Sequence, residues 1–134
     1  MSELTITEAI RHIKVTEEDG STVELYYRGG ELHRDEGPAC IRRSADGAIR
    51  EQYWREGNLH RDGGPAWLDR DAEGSSYEAY YRQGKLHRED GPAYIVRKIG
   101  GSTREGYYRD GEVISLPTEP GPADNEPAPS PPSA

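Results

Sequence analysis

Three histidines stand at equal intervals in the chain: His33, His60 and His87, each 27 residues after the one before. A series of imidazoles invites a metal reading, because neutral histidine is a frequent zinc ligand. Each sits in the same phrase, Gly-x-Leu-His-Arg-x-x-Gly-Pro-Ala, which runs from Gly30 to Ala39, Gly57 to Ala66 and Gly84 to Ala93. If each phrase joins one β-hairpin to the next, equivalent positions lie two strands apart, about 9.5 Å. Ligands of one zinc must each approach it to about 2 Å. No metal and no cofactor is therefore expected. His33, His60 and His87, with Leu32, Leu59 and Leu86, are read as residues that hold the linkers together.

Carboxylates and guanidiniums recur with the same period. Glu51, Glu78 and Glu105 match Arg43, Arg70 and Arg97. Such pairs could serve as general acids and bases. Catalysis needs one asymmetric constellation in a pocket, and these pairs return in every unit. There is no Gly-x-Ser-x-Gly, no Cys-x-x-Cys and no phosphate-cradling loop. The six residues are read as a structural ladder, no catalytic residue is assigned, and the protein is expected not to be an enzyme.

Aromatic residues form the third series: Tyr27, Trp54, Tyr81 and Tyr108, with Trp67 and Tyr94 between them. Exposed Tyr and Trp anchor protein interfaces. The same stripe is equally the core of a thin sheet. Partner binding is assigned to these six, with the core reading left open.

The elements that must position these residues follow from the repeat. A fixed internal period signals a repeat architecture. His12 to Arg28 reads as strand, turn, strand, with Ile13 and Val15, then Val23, Leu25 and Tyr27, alternating with polar residues around Glu18-Asp19-Gly20-Ser21. The plan returns at residues 39–55, 66–82 and 93–109. The expected fold is all-β: a single-layer antiparallel sheet of four tandem hairpins, with a cap at residues 1–11, a repeat domain at 12–114 and a disordered tail at 115–134. Seven of the ten prolines fall in that tail, which lacks the apolar content to offset its ordering entropy. A three-residue loop at Asp46-Gly47-Ala48 would set Arg43 opposite Glu51 and Ile41 opposite Tyr53. On the other face, Cys40 would meet Trp54, Trp67 would meet Tyr81, and Tyr94 would meet Tyr108.

Composition narrows the function classes. The chain has no Phe, two Trp and nine Tyr among 134 residues, so a thick two-layer core is hard to build. Removing the three tail acids (Glu119, Asp124 and Glu126) from the net charge of −8 leaves −5. Binding to nucleic acid or anionic lipid needs a basic face; neither partner is expected, and a basic protein partner is. The single cysteine, Cys40, cannot form an intrachain disulfide, and no run is long and apolar enough for a membrane span or leader. A soluble, cytoplasmic protein is expected.

The stretch Tyr80-Tyr81-Arg82-Gln83-Gly84-Lys85-Leu86-His87 resembles MORN repeats, and is closer to the variant repeats of bacterial and phage proteins that read His-Arg-x-x-Gly-Pro-Ala. The likeness covers Glu24 to Gly111 and departs where Arg34, Arg61 and Arg88 replace a glycine. It implies an elongated sheet used as a binding or assembly surface; some bacterial relatives carry an antitoxin assignment. The expected function is a non-enzymatic inhibitor of another protein, of antitoxin, immunity or phage anti-defence type, active in a bacterial or phage-infected cell. Its partner would be a basic nucleic-acid-processing enzyme, and a homodimer is open. The rivals are a self-assembling scaffold and a binder of a small nucleotide signal held by Arg34, Arg61 and Arg88.

Overall fold

The computed structural model describes residues 9–115. The remainder of the expected cap, and the expected tail beyond Ser115, lie outside the described residues. Four long hairpins follow one another: β1 (Arg11–Thr16) with β2 (Thr22–Arg28), β4 (Cys40–Arg43) with β5 (Ile49–Gln52), β8 (Trp67–Arg70) with β9 (Ser76–Ala79), and β12 (Tyr94–Arg97) with β13 (Thr103–Arg109). Each is followed by a short one. β3 (Glu31–Leu32) returns on β2, β7 (Asn58–Leu59) on β6 (Trp54–Arg55), β11 (Lys85–Leu86) on β10 (Tyr81–Arg82), and β14 (Glu112–Ser115) on β13.

The long hairpins merge into one antiparallel sheet in the order β1-β2-β4-β5-β8-β9-β12-β13-β14. The fold is all-β, and no described helix is long and apolar enough to cross a membrane. Two expected boundaries move. Arg11 opens β1 instead of closing a cap, and Ser115 ends β14 instead of opening a tail.

Loop chemistry dictates the register. Ser44 N–H donates to the Ala48 carbonyl at 2.9 Å, so the three-residue loop is Ala45-Asp46-Gly47. Gly47 has φ +100°, the left-handed position that closes such a loop after a type I turn. Gly20, Gly74 and Gly101 do the same at φ +92°, +108° and +101°. The expected loop at Asp46-Gly47-Ala48 put the glycine in the middle, where that conformation is not wanted. Pairing is therefore shifted by two residues throughout. Arg43 faces Ile49, Ile41 faces Glu51, Cys40 faces Gln52, Trp67 faces Ala79 and Tyr94 faces Gly106. A shift of two keeps every residue on its face, so the two face assignments stand while the pair assignments do not.

The core lies where one sheet face meets the row of short hairpins. It gathers Leu32, Leu59 and Leu86 with Trp54, Trp67, Tyr81, Tyr94 and the alanines Ala39, Ala66, Ala79 and Ala93. Volumes are matched across strands. The large rings of Trp67 and Tyr94 sit opposite Ala79 and Gly106, and a Cβ at Gly106 would overlap the Tyr94 ring.

Candidate functional site

The linkers consume the residues that looked like chemistry. His60 lies after β7, and its Nδ1 accepts the backbone N–H of Gln83 at 3.0 Å. His33 does the same for Glu56, and His87 for Asp110, each at 3.0 Å. An accepting Nδ1 leaves the proton on Nε2, which donates to Asp35 from His33 at 2.8 Å and to Asp62 from His60 at 3.1 Å. Those hydrogen bonds hold the carboxyls of Asp35 and Asp62 below the usual carboxylate range. Each imidazole thus clamps the tight turn of the following repeat. In those turns Glu56, Gln83 and Asp110 have φ near +50° and the next residue is a left-handed glycine, a combination that favours two-residue hairpins.

The arginines that follow the histidines are equally committed. Arg34, Arg61 and Arg88 each lie 3.9 Å from a ring centroid, over Tyr26, Tyr53 and Tyr80. Each donates to the carbonyl of the linker proline, at 3.1 Å to Pro38, 3.1 Å to Pro65 and 3.2 Å to Pro92. Their other side abuts glycine: a Cβ on Gly64 or Gly91 would lie 2.9 Å from the guanidinium carbon. This Tyr–Arg–Gly sandwich was not foreseen from the sequence. The signal was present, because Tyr26, Tyr53 and Tyr80 keep the period of 27.

Of the two readings left open for the aromatic stripe, four of its six residues take the core one. Trp54 and Trp67 are 5% exposed, Tyr81 and Tyr94 3%. Tyr81, Trp67, Tyr77, Tyr94 and Tyr108 form a chain of ring contacts with centroids 6.0–6.5 Å apart. Burial pushes the Tyr81 hydroxyl up to about 12 and Tyr77 higher still. Only Tyr27 and Tyr108 of the six remain half-buried. Burial also raises the Cys40 thiol, which therefore has little thiolate character.

The ladder is corrected as well. Arg43 and Glu51 do not pair within a hairpin; Arg43 reaches Glu24 of the preceding hairpin at 3.0 Å, and Arg97 reaches Glu78 at 3.2 Å. Glu51 and Arg70 form no ion pair among the described residues. In that repeat the inter-hairpin bridge moves to the core face, where Arg50 grips Asp69 at 2.7 and 3.2 Å. The arginines thus stitch hairpin to hairpin.

What remains is the opposite sheet face. The register lays one row straight across it: Lys14, Glu24, Ile41, Glu51, Leu68, Glu78, Ile95 and Glu105. Carboxylate and aliphatic side chains alternate strand by strand. Equivalent carboxylates recur every second strand, about 9.5 Å apart. Ile41 and Ile95 are buried between their neighbours, and Arg43 and Arg97 stand about half exposed above them. Burial opposes ionisation at Glu24, but hydrogen bonds from His12 and Arg43 hold its carboxyl below the usual range. Among the described residues no group of three His, Cys, Asp or Glu is placed to hold a metal. No protein-family model matches the chain, and no curated protein matches it significantly.

Proposed function

We propose that the chain is a non-enzymatic, MORN-like repeat module that binds another protein through this open sheet face, and that it acts as an inhibitor of antitoxin, immunity or phage anti-defence type. The observation that carries the reading is the alternating carboxylate–aliphatic row from Glu24 to Glu105. It is periodic, and it crosses every long hairpin. Half-buried Leu68, between Glu51 and Glu78, adds an apolar contact to the carboxylates, the mixed character of protein interfaces. The acidic balance of the chain, −8 overall, steers it toward a basic partner. A nucleic-acid-processing enzyme has such a basic cleft. The cytoplasm of a bacterial or infected cell is the proposed compartment.

The test starts with affinity capture from bacterial lysate, followed by purification of the captured protein. The reading expects a stoichiometric complex and loss of the partner's nucleic-acid-processing activity when the chain is added. A captured protein that keeps full activity in the complex overturns the inhibitor assignment, and capture of nucleic acid alone overturns the protein-binding one.

A further inference from the structure

Successive repeats are fastened by one recurring joint. At the first, Gly57 N–H donates to the Leu32 carbonyl at 3.0 Å, Glu56 N–H to His33 Nδ1 at 3.0 Å, and Arg34 N–H to the Trp54 carbonyl at 3.3 Å. At the second, Gly84 meets Leu59, Gln83 meets His60 and Arg61 meets Tyr81; at the third, Gly111 meets Leu86, Asp110 meets His87 and Arg88 meets Tyr108. A joint thus has two halves: the segment after one tight turn, which accepts two of the three hydrogen bonds, and the next tight turn, which donates them.

Both ends of the described array carry half a joint. Gly29 and Gly30 form the first tight turn, at φ +62° and +81°. Tyr27, Gly29 and Gly30 occupy the places of Trp54, Glu56 and Gly57. A Cβ on Gly57 would lie 2.9 Å from Glu31, on Gly84 3.3 Å from Asn58 and on Gly111 3.7 Å from Lys85, whereas one on Gly30 meets nothing within 4 Å. A cavity of about 350 Å³ opens there, lined by Arg11, Ile13, Tyr27, Gly29 and Gly30. At the other end, Val113 faces Tyr108 as Leu86 faces Tyr81. Val113 and Ile114 are 52% and 54% exposed, against 8% and 9% for Leu86 and His87 in the same places of a complete joint. Ile13, in the lining of that cavity, is 45% exposed; Val15, further along β1, and Ile99 are the other large hydrophobics exposed among the described residues.

We infer that these halves complete each other between two copies of this chain. The segment from Glu112 to Ser115 of one copy seats on the Gly29–Gly30 turn of the next. There the Val113 carbonyl accepts the Gly30 N–H and the Val113 and Ile114 side chains cover Ile13 and Tyr27. The interface continues the internal joint from one molecule to the next. Isoleucine at position 114 offers no acceptor for the Gly29 N–H, so the intermolecular joint lacks one hydrogen bond and is reversible. Because the two patches differ, the contact is heterologous and adds copies head to tail.

The test is sedimentation of the full chain over a concentration series, with variants confirmed as folded by circular dichroism. The parent should gain mass with concentration. Ile13→Lys and Val113→Lys should each weaken self-association by at least about tenfold, a factor equivalent to about 1.4 kcal/mol. Their equimolar mixture should form a heterodimer that stops at two, since one good end survives on each. Ile114→Lys replaces Val113→Lys should the latter not fold. A parent that stays monomeric at every concentration overturns the inference. So does a mixture without heterodimer, which would point to a symmetric contact elsewhere.

Discussion

His60 Nδ1 accepts the backbone N–H of Gln83, 3.0 Å away and one repeat downstream. Through that bond a side chain that resembles a metal ligand becomes a clamp on a left-handed turn. Replacing it with alanine removes the protein acceptor of that N–H, which is exposed and turns to water instead. The loss is that of an ordinary hydrogen bond, about 0.5–1.5 kcal/mol. His60→Gln keeps an acceptor and should cost less than His60→Ala. Gly57→Val forces a β-branched residue to φ +83° and should cost about 1–3 kcal/mol, more than His60→Gln. Urea denaturation of the three variants checks the order.

Arg61 and Gly64 should be energetically coupled. Gly64→Ala pushes a methyl group to 2.9 Å from the Arg61 guanidinium carbon, which is held between Tyr53 and the Pro65 carbonyl. Alanine at position 64 should destabilise the parent and be nearly neutral in an Arg61→Ala background. A double-mutant cycle should return a coupling of about 0.5–3 kcal/mol. Strict additivity would show that the sandwich does not hold the linker.

Acid should weaken the linkers. The carboxyls of Asp35 and Asp62 are held below their ordinary value of 3.8 by the histidine hydrogen bonds. A group whose folded value is depressed gives its full contribution above the unfolded value and loses it as pH falls through the folded value. Stability should therefore be flat above about pH 5 with respect to these groups and decline below about pH 4. Denaturation of Asp35→Asn/Asp62→Asn should show a shallower acid limb than the parent. An unchanged limb would place the acid sensitivity elsewhere.

Trp54 should behave as a core residue and Arg43 as a surface one. Trp54 is 5% exposed, and Trp→Ala in a core costs about 3–5 kcal/mol. The side chain of Arg43 is 53% exposed, and removing such a surface ion pair costs about 0–1 kcal/mol. Thermal melts of the two variants check this directly.

The period of 27 made the hairpins, their order and their two faces legible, because alternation and turn glycines carry that information locally. Pair identities were not legible from the loop as read, since a glycine in the middle or at the end of a three-residue loop shifts the register by two. The spacing of Gly20, Gly47, Gly74 and Gly101 marks the closing position and would have decided it. The short hairpins escaped notice because two-residue strands such as Asn58–Leu59 have no alternation to read. Which face is covered was hidden for a related reason. Both faces carry aromatics, Tyr26, Tyr53 and Tyr80 on one and Trp54, Trp67 and Tyr94 on the other. Only the folding-over of Leu32, Leu59 and Leu86 decides which set becomes the core.

The carboxylate–aliphatic face makes the most exposed claim. Glu51→Lys/Glu78→Lys reverses two charges in the middle of the row and gives up only the half-exposed Arg97–Glu78 ion pair. The decisive measurement is the affinity of this variant for the captured partner, beside the parent and with matched circular dichroism and melting curves. The account predicts a loss of at least about tenfold, equivalent to about 1.4 kcal/mol or more. A folded variant that binds the partner as tightly as the parent would contradict it and move the working surface off this face.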